Sequence, residues 1–188
     1  HLLRLTTRPG APVVFDHPTY PQAIDAILAA GGRAVPVALP DGEGEEGWDV
    51  EGLITACRSS NAAMAYLVLD HNNPTGRMMR AADRTRLLAG LKGSETLLVL
   101  DETLVELTLS GPPALSASAV DAPRIVRLGS MSKSVWGGLR IGWIRAEPAT
   151  LATIASVRAS VDLGTPILEQ LTAARLLDQR DEILPERR

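Results

Sequence analysis

The sequence predicts an α/β chain of three layers, a mostly parallel β-sheet flanked by helices, and three observations predict it. Short apolar runs alternate with amphipathic stretches along nearly the whole chain, the order that gives parallel strands joined by helices. Two of these runs, residues 64–69 and 96–100, are almost continuously apolar, as strands covered on both faces must be. Glycine, proline and asparagine punctuate the alternation at the ends of runs.

Taken in order, residues 1–5 read as the tail of an amphipathic helix. Residues 13–16 form a brief strand leading into Pro18-Thr19-Tyr20-Pro21. A helix follows, with Ala23, Ile24, Ile27 and Leu28 on one face, until Gly31-Gly32 ends it. Residues 34–39 are the next strand, 41–47 an acidic glycine-rich loop, and 50–58 a short helix. The run 64–69 is a strand, 81–91 a helix, and 96–100 a strand. Residues 125–128 and 139–145 supply two more strands. Helices over 149–163 and 167–178 close the chain, parted by Gly164-Thr165-Pro166: a capping glycine, then a proline at the next helix start.

With 188 residues, 45% of them hydrophobic, the chain is long enough for one domain with a sizeable core. A net charge of −3 creates no field that draws a polyanion, so DNA contact is expected only through an attached domain. The single cysteine, Cys57, excludes an internal disulfide and fits a reducing cytoplasm. No secretion signal opens the chain and no apolar run approaches a membrane span, so a cytoplasmic protein without membrane contact is expected. The chain starts at His1 and stops at Arg188 just after a helix, and it reads as a fragment.

Three polar motifs each follow a predicted strand. They are Asn72-Asn73-Pro74-Thr75-Gly76, Asp101-Glu102, and Ser130-Met131-Ser132-Lys133 with Arg140 seven residues on. Ligands of open α/β sheets bind at the carboxyl ends of the strands, where all three converge. Singly, each has a plainer reading: Asn-Pro and Thr-Gly make turns, a strand-end aspartate caps a helix, and a lysine among serines is a surface lysine. No residues show metal-ligand spacing, no Ser-His-Asp set is apparent, and neither a Gly-x-Gly-x-x-Gly motif nor a P-loop follows a strand.

Together, in this order, the motifs resemble the class I/II aminotransferase superfamily of fold type I, over residues 13–177. That resemblance implies the large pyridoxal-phosphate-binding domain of that fold, with a glycine-rich segment before residue 1 and a small C-terminal domain both missing. It implies that Lys133 holds the cofactor as a Schiff base and serves as the base that moves substrate protons. Lys133 and Asp101 are thus the expected catalytic pair, with Asp101 keeping the pyridine nitrogen protonated. Asn73 would donate to the phenolic oxygen, and Ser130, Ser132 and Arg140 would grip the phosphate. Tyr20 falls where relatives stack an aromatic residue on the ring. Trp136 is expected as a wedge beside the phosphate loop and Trp143 as a core residue. His17 and His71 read as loop or supporting residues.

One departure sharpens the resemblance. Many family enzymes place a tyrosine three residues after the aspartate, and here that position is Leu104. With Asp101-Glu102-Thr103-Leu104-Val105-Glu106-Leu107 and the stretch from Ser132 to Trp143, the chain looks most like the effector domain of MocR-type regulators of the GntR superfamily. These join a winged helix-turn-helix domain to an aminotransferase-like domain. Two functions follow: a regulator whose pocket senses an amine or amino acid, or an aminotransferase moving an amino group between an amino acid and a 2-oxo acid. The resemblance also implies a homodimer, with the Gly164-Thr165-Pro166 loop reaching toward the neighbour's phosphate site.

Overall fold

Strand periodicity sorts the apolar residues onto the two faces of a six-stranded sheet. The computed structural model describes residues 8–40, 47–109, 124–158, 162 and 164–187. Its strands are β1 (Pro12–His17), β2 (Arg33–Ala38), β3 (Met64–Leu67), β4 (Leu97–Asp101), β5 (Ile125–Ser130) and β6 (Gly142–Arg145), in the order β2-β1-β3-β4-β5-β6. All neighbours are parallel except β5 and β6, which run antiparallel. The expectation of a mostly parallel sheet between helical layers is met.

One face carries Val14, Ala65, Leu67, Leu98 and Leu100, covered by α2 (Val50–Ser59) and α3 (Ala81–Leu91) through Leu53, Cys57 and Leu87. The alternate residues Val13, Phe15, Met64, Tyr66 and Val99 face the other way. They are covered by Ile27 of α1 (Pro21–Ala29) and Ile154 of α5 (Pro148–Arg158). Burying each large aliphatic side chain contributes about 1.5–3 kcal/mol. This two-sided burial is why strands β3 and β4 carry no polar alternation. Local signals fix the helix starts: Pro21 occupies the first turn of α1, and the Asp49 side chain accepts a 2.7 Å hydrogen bond from the Gly52 amide at α2.

Several boundaries differ from the sequence reading. The ladder of β3 stops at Leu67 although the apolar run reaches Leu69, because the Val68 amide donates to the Asp16 carboxylate at 3.1 Å. The run 139–145 is not one strand: a 3-10 turn covers Gly137–Leu139, Arg140 is left-handed (φ 54°), and β6 begins only at Gly142. The chain reverses through the short helix α4 (Met131–Ser134) and that turn, too short a link for a parallel crossover, so β6 returns antiparallel.

Trp143 is corrected from a core residue to a half-exposed one, 41% accessible. Its indole lies across Gly129, its partner on β5, where an added Cβ would come within 2.2 Å of the ring. The helix expected over 149–163 is described over Pro148–Arg158 (α5), and α6 spans Ile167–Asp178. A last helix, α7 (Arg180–Arg187), was not read from the sequence because Pro185 lies within it. Tertiary contacts hold it: Arg180 pairs with Glu106 at 3.4 Å and Leu184 is buried. The helix read over residues 1–5, most of the acidic loop 41–47, and residues 159–161 and 163 lie outside the described residues.

Candidate functional site

The four parallel strands β1, β3, β4 and β5 lie side by side and end at the same edge of the sheet. Tyr20 follows β1, Asn73 follows β3, Asp101 ends β4, and Ser130 ends β5, with Ser132 and Lys133 in the helix just beyond. The antiparallel β6 starts at this edge, with Gly142 opposite Ser130, so Arg140 belongs there too. The topology thus brings Tyr20, Asn73, Asp101, Ser130, Ser132, Lys133 and Arg140 to one edge.

The polar residues of this edge fall into two sets. Lys133, Arg140 and Asn73 are exposed, and their side chains have no hydrogen-bond or ion-pair partner among the described residues. Tyr20, 39% accessible, stands at the start of α1. The second set, of buried and half-buried side chains, is bonded internally and supports the turn that carries Asn73.

Asn72 organises the turn after β3. Its side-chain amide donates to the Asp16 carboxylate and, at 3.4 Å, to the Pro18 carbonyl. Its side-chain oxygen accepts from the Thr75 hydroxyl at 2.7 Å, and its carbonyl accepts from the Gly76 amide at 2.6 Å. Asn72 is 1% accessible whereas its neighbour Asn73 points outward. The peptide bonds His17–Pro18 and Asn73–Pro74 are both cis. Behind the turn, Arg84 of α3 grips Asp70 through two hydrogen bonds of 2.9 and 2.5 Å, both side chains being buried. The same guanidinium donates to the Met79 and Leu69 carbonyls at 3.0 Å each, which ties both ends of the loop to one helix.

Asp101 is held on both oxygens: Oδ2 accepts from the Tyr66 hydroxyl at 2.5 Å and Oδ1 from the Thr103 amide at 3.0 Å. A carboxylate oxygen takes two hydrogen bonds, so each keeps a free lone pair. Next to it, Glu102 pairs with the buried Arg127 of β5. Burial pushes the Asp16 carboxyl up to about 7, against the lowering effect of the Val68 amide and Asn72, with Asp101's charge adding slightly. Burial also raises the Tyr66 phenol well above its ordinary range, and the Asp101 charge and hydrogen bond raise it further. Tyr66 is therefore a permanent donor and Asp16 a carboxyl that keeps its proton to near neutrality.

Around the last motif, the Ser130 hydroxyl oxygen accepts from the Ser132 amide at 3.2 Å and caps α4. Trp136 is 66% accessible and lies over Gly138, as a wedge beside this turn does. His71 contacts the Thr108 hydroxyl at 3.0 Å and so has a supporting place. Cys57 is buried, which raises its thiol to about 11 and leaves it unreactive. Among the described residues no group of histidine, cysteine, aspartate and glutamate could hold a metal ion, and no helix is long and apolar enough to cross a membrane.

Sequence reasoning gave no role to Tyr66, Asp16, Asp70 or Arg84, nor to Asn72 within its motif. Asp16 and Asp70 left a signal, a carboxylate at the end of an apolar run. Tyr66 left none, since a tyrosine inside such a run reads as core.

This donor set suits an aromatic cofactor bearing an aldehyde, a basic ring nitrogen and a phosphate. An unpaired amine, a fixed carboxylate, a free guanidinium and two serines at the same strand-end edge suit those groups. The comparisons agree. The family model "Aminotransferase class I and II" matches residues 1–188. The 2-aminoadipate transaminase of Thermus thermophilus is 32% identical over 174 residues, 90% of this chain and 43% of that protein. The transcriptional regulator TauR of Rhodobacter capsulatus is 27% identical over 170 residues, 90% of this chain and 33% of that one. The crystal structure of the α-aminoadipate aminotransferase LysN from Thermus thermophilus, complexed with N-(5'-phosphopyridoxyl)-L-leucine, superposes with a TM-score of 0.85 at 29% identity. It is matched over 99% of this chain and 49% of LysN. Histidinol-phosphate aminotransferase from Sinorhizobium meliloti, in complex with pyridoxal-5'-phosphate, gives 0.80 at 29% identity, over 99% of this chain and 48% of that one. The chain spans less than half the length of these relatives.

Proposed function

Because this chain belongs to the aminotransferase class I and II family, we propose that it binds pyridoxal 5'-phosphate on Lys133 as the effector domain of a MocR-type regulator. The observation that carries the cofactor part is the division of the strand-end edge. Lys133, Arg140 and Asn73 are unpaired while the side chains behind them are internally bonded. Bound there, the cofactor supplies an electron-accepting ring for carbanion chemistry at an amino carbon.

In this reading Lys133 would hold the cofactor and would move a proton at the substrate α-carbon. Asp101, held by the Tyr66 hydroxyl and the Thr103 amide, would face the ring nitrogen and favour its protonated form. Asn73 donates to the phenolic oxygen. Arg140, with Ser130 and Ser132, holds the phosphate through paired donors. Tyr20 packs on the ring face. The ligand is an amine or amino acid, the protein is a cytoplasmic homodimer, and DNA is met only through an attached domain. The regulators among its relatives and Leu104 in place of a tyrosine support the sensor reading. A second reading, a complete aminotransferase, is favoured by the 32% identity to a transaminase.

The test uses the full-length protein that contains this chain. With pyridoxal phosphate added, an absorption band of lysine-bound cofactor is expected, and it should be absent in Lys133→Ala. A parent protein without the band defeats the cofactor reading. With the band present, an amine-dependent shift in DNA binding without 2-oxo acid production supports the sensor. Steady production of the 2-oxo acid supports the enzyme.

A further inference from the structure

Strands β3 and β4 place Tyr66 opposite Val99, two residues before Asp101, on the same face of the sheet. From that diagonal position the phenol reaches the carboxylate: the oxygen–oxygen separation is 2.5 Å, typical of a charge-assisted bond. The tyrosine is 8% accessible and lies in the apolar layer under α1, so its hydroxyl has no competing water-facing position.

We propose that Tyr66 is a positioning residue for the cofactor, acting through Asp101: its hydroxyl fixes the carboxylate and sets how strongly that carboxylate holds a proton on the ring nitrogen. The inference rests on the function proposed above and adds a residue to it. The Thr103 amide alone would leave the carboxylate free to rotate about its own hydrogen bond, whereas a second donor from a neighbouring strand locks both oxygens. Donation from the phenol also adds a charge-assisted hydrogen bond to the carboxylate that an aspartate held by one amide lacks. Burial keeps Tyr66 protonated, so it never competes with the ring nitrogen as an acceptor. Asp16, tied to the same edge through Val68 and Asn72, retains its proton to near neutrality.

The experiment follows the pH midpoint of the visible band of lysine-bound cofactor in the full-length protein, at saturating pyridoxal phosphate. Tyr66→Phe is compared in the parent and in the Asp101→Asn background. We expect Tyr66→Phe to move the midpoint by about half a pH unit or more in the parent. In the Asp101→Asn background the same change should leave it unmoved, since the group through which it acts is gone. No movement in the parent, or equal movement in both backgrounds, overturns the assignment. If Tyr66→Phe does not fold, 3-fluorotyrosine at position 66, a stronger donor of nearly the same size, replaces it. A moved midpoint supports the assignment, and an unmoved one overturns it. A parent protein without the band contradicts the cofactor reading itself, an outcome distinct from a parent band that Tyr66→Phe leaves unchanged.

Discussion

Arg84 and Asp70 meet in a forked ion pair of 2.5 and 2.9 Å, both side chains almost wholly buried between α3 and the end of the β3 run. The pair fixes the loop that presents Asn73. Removing one partner strands the other charge without water, at a cost of about 3–5 kcal/mol. Arg84→Ala in the full-length protein should show that loss in urea denaturation, together with weaker cofactor binding. The double variant Arg84→Met, Asp70→Leu should recover most of the stability, because no buried charge then remains unpaired. Equal losses in the single and double variants would contradict this account.

Asp16 makes stability depend on pH in an unusual direction for an aspartate. Its folded value, about 7, lies above the unfolded 3.8, so the folded chain binds its proton more tightly. The corresponding stabilisation is complete below the unfolded value and disappears as pH rises through the folded one. Between about pH 4 and pH 7 the parent should lose on the order of 4 kcal/mol from this group. Asp16→Asn should remove that dependence. Urea midpoints at pH 5 and pH 8 measure it, and parallel curves for both proteins would refute it.

Arg140 offers a fork of donors that a lysine cannot reproduce. Arg140→Lys should weaken pyridoxal-phosphate binding by about tenfold, with little change in thermal stability, since the guanidinium is exposed and bonded to nothing described. Equilibrium dialysis reads the first quantity and calorimetry the second. An unchanged affinity would remove Arg140 from the phosphate site.

Gly129 leaves room for the Trp143 indole across the β5–β6 pair. Gly129→Ala should displace the ring and destabilise the sheet edge by about 1–3 kcal/mol. The emission of Trp143, read in a variant with Trp48 and Trp136 replaced, should shift to the red. An unshifted emission with unchanged stability would mean the ring is not held there.

By itself the sequence determined the alternation of strands and helices, the two-sided burial of β3 and β4, and the residues that reach the strand-end edge. Those properties rest on local pattern: an apolar run of strand length, a proline or glycine at its end, and a polar residue just beyond it. Tyr20, Asn73, Asp101, Ser130, Ser132, Lys133 and Arg140 were legible because each follows such a run or its turn. What only the tertiary structure decided is the support behind them. Tyr66 reaches from β3 to Asp101 of β4, Asn72 and Val68 reach from beyond β3 to Asp16 of β1, and Arg84 reaches back to Asp70 from the following helix. Such pairs, between 14 and 56 residues apart in the chain, have no local spacing to betray them. The same holds for the exposed Trp143, whose place follows from the antiparallel return of β6. Local pattern names the groups at the strand-end edge, while packing across strands sets what holds them and raises the Asp16 carboxyl.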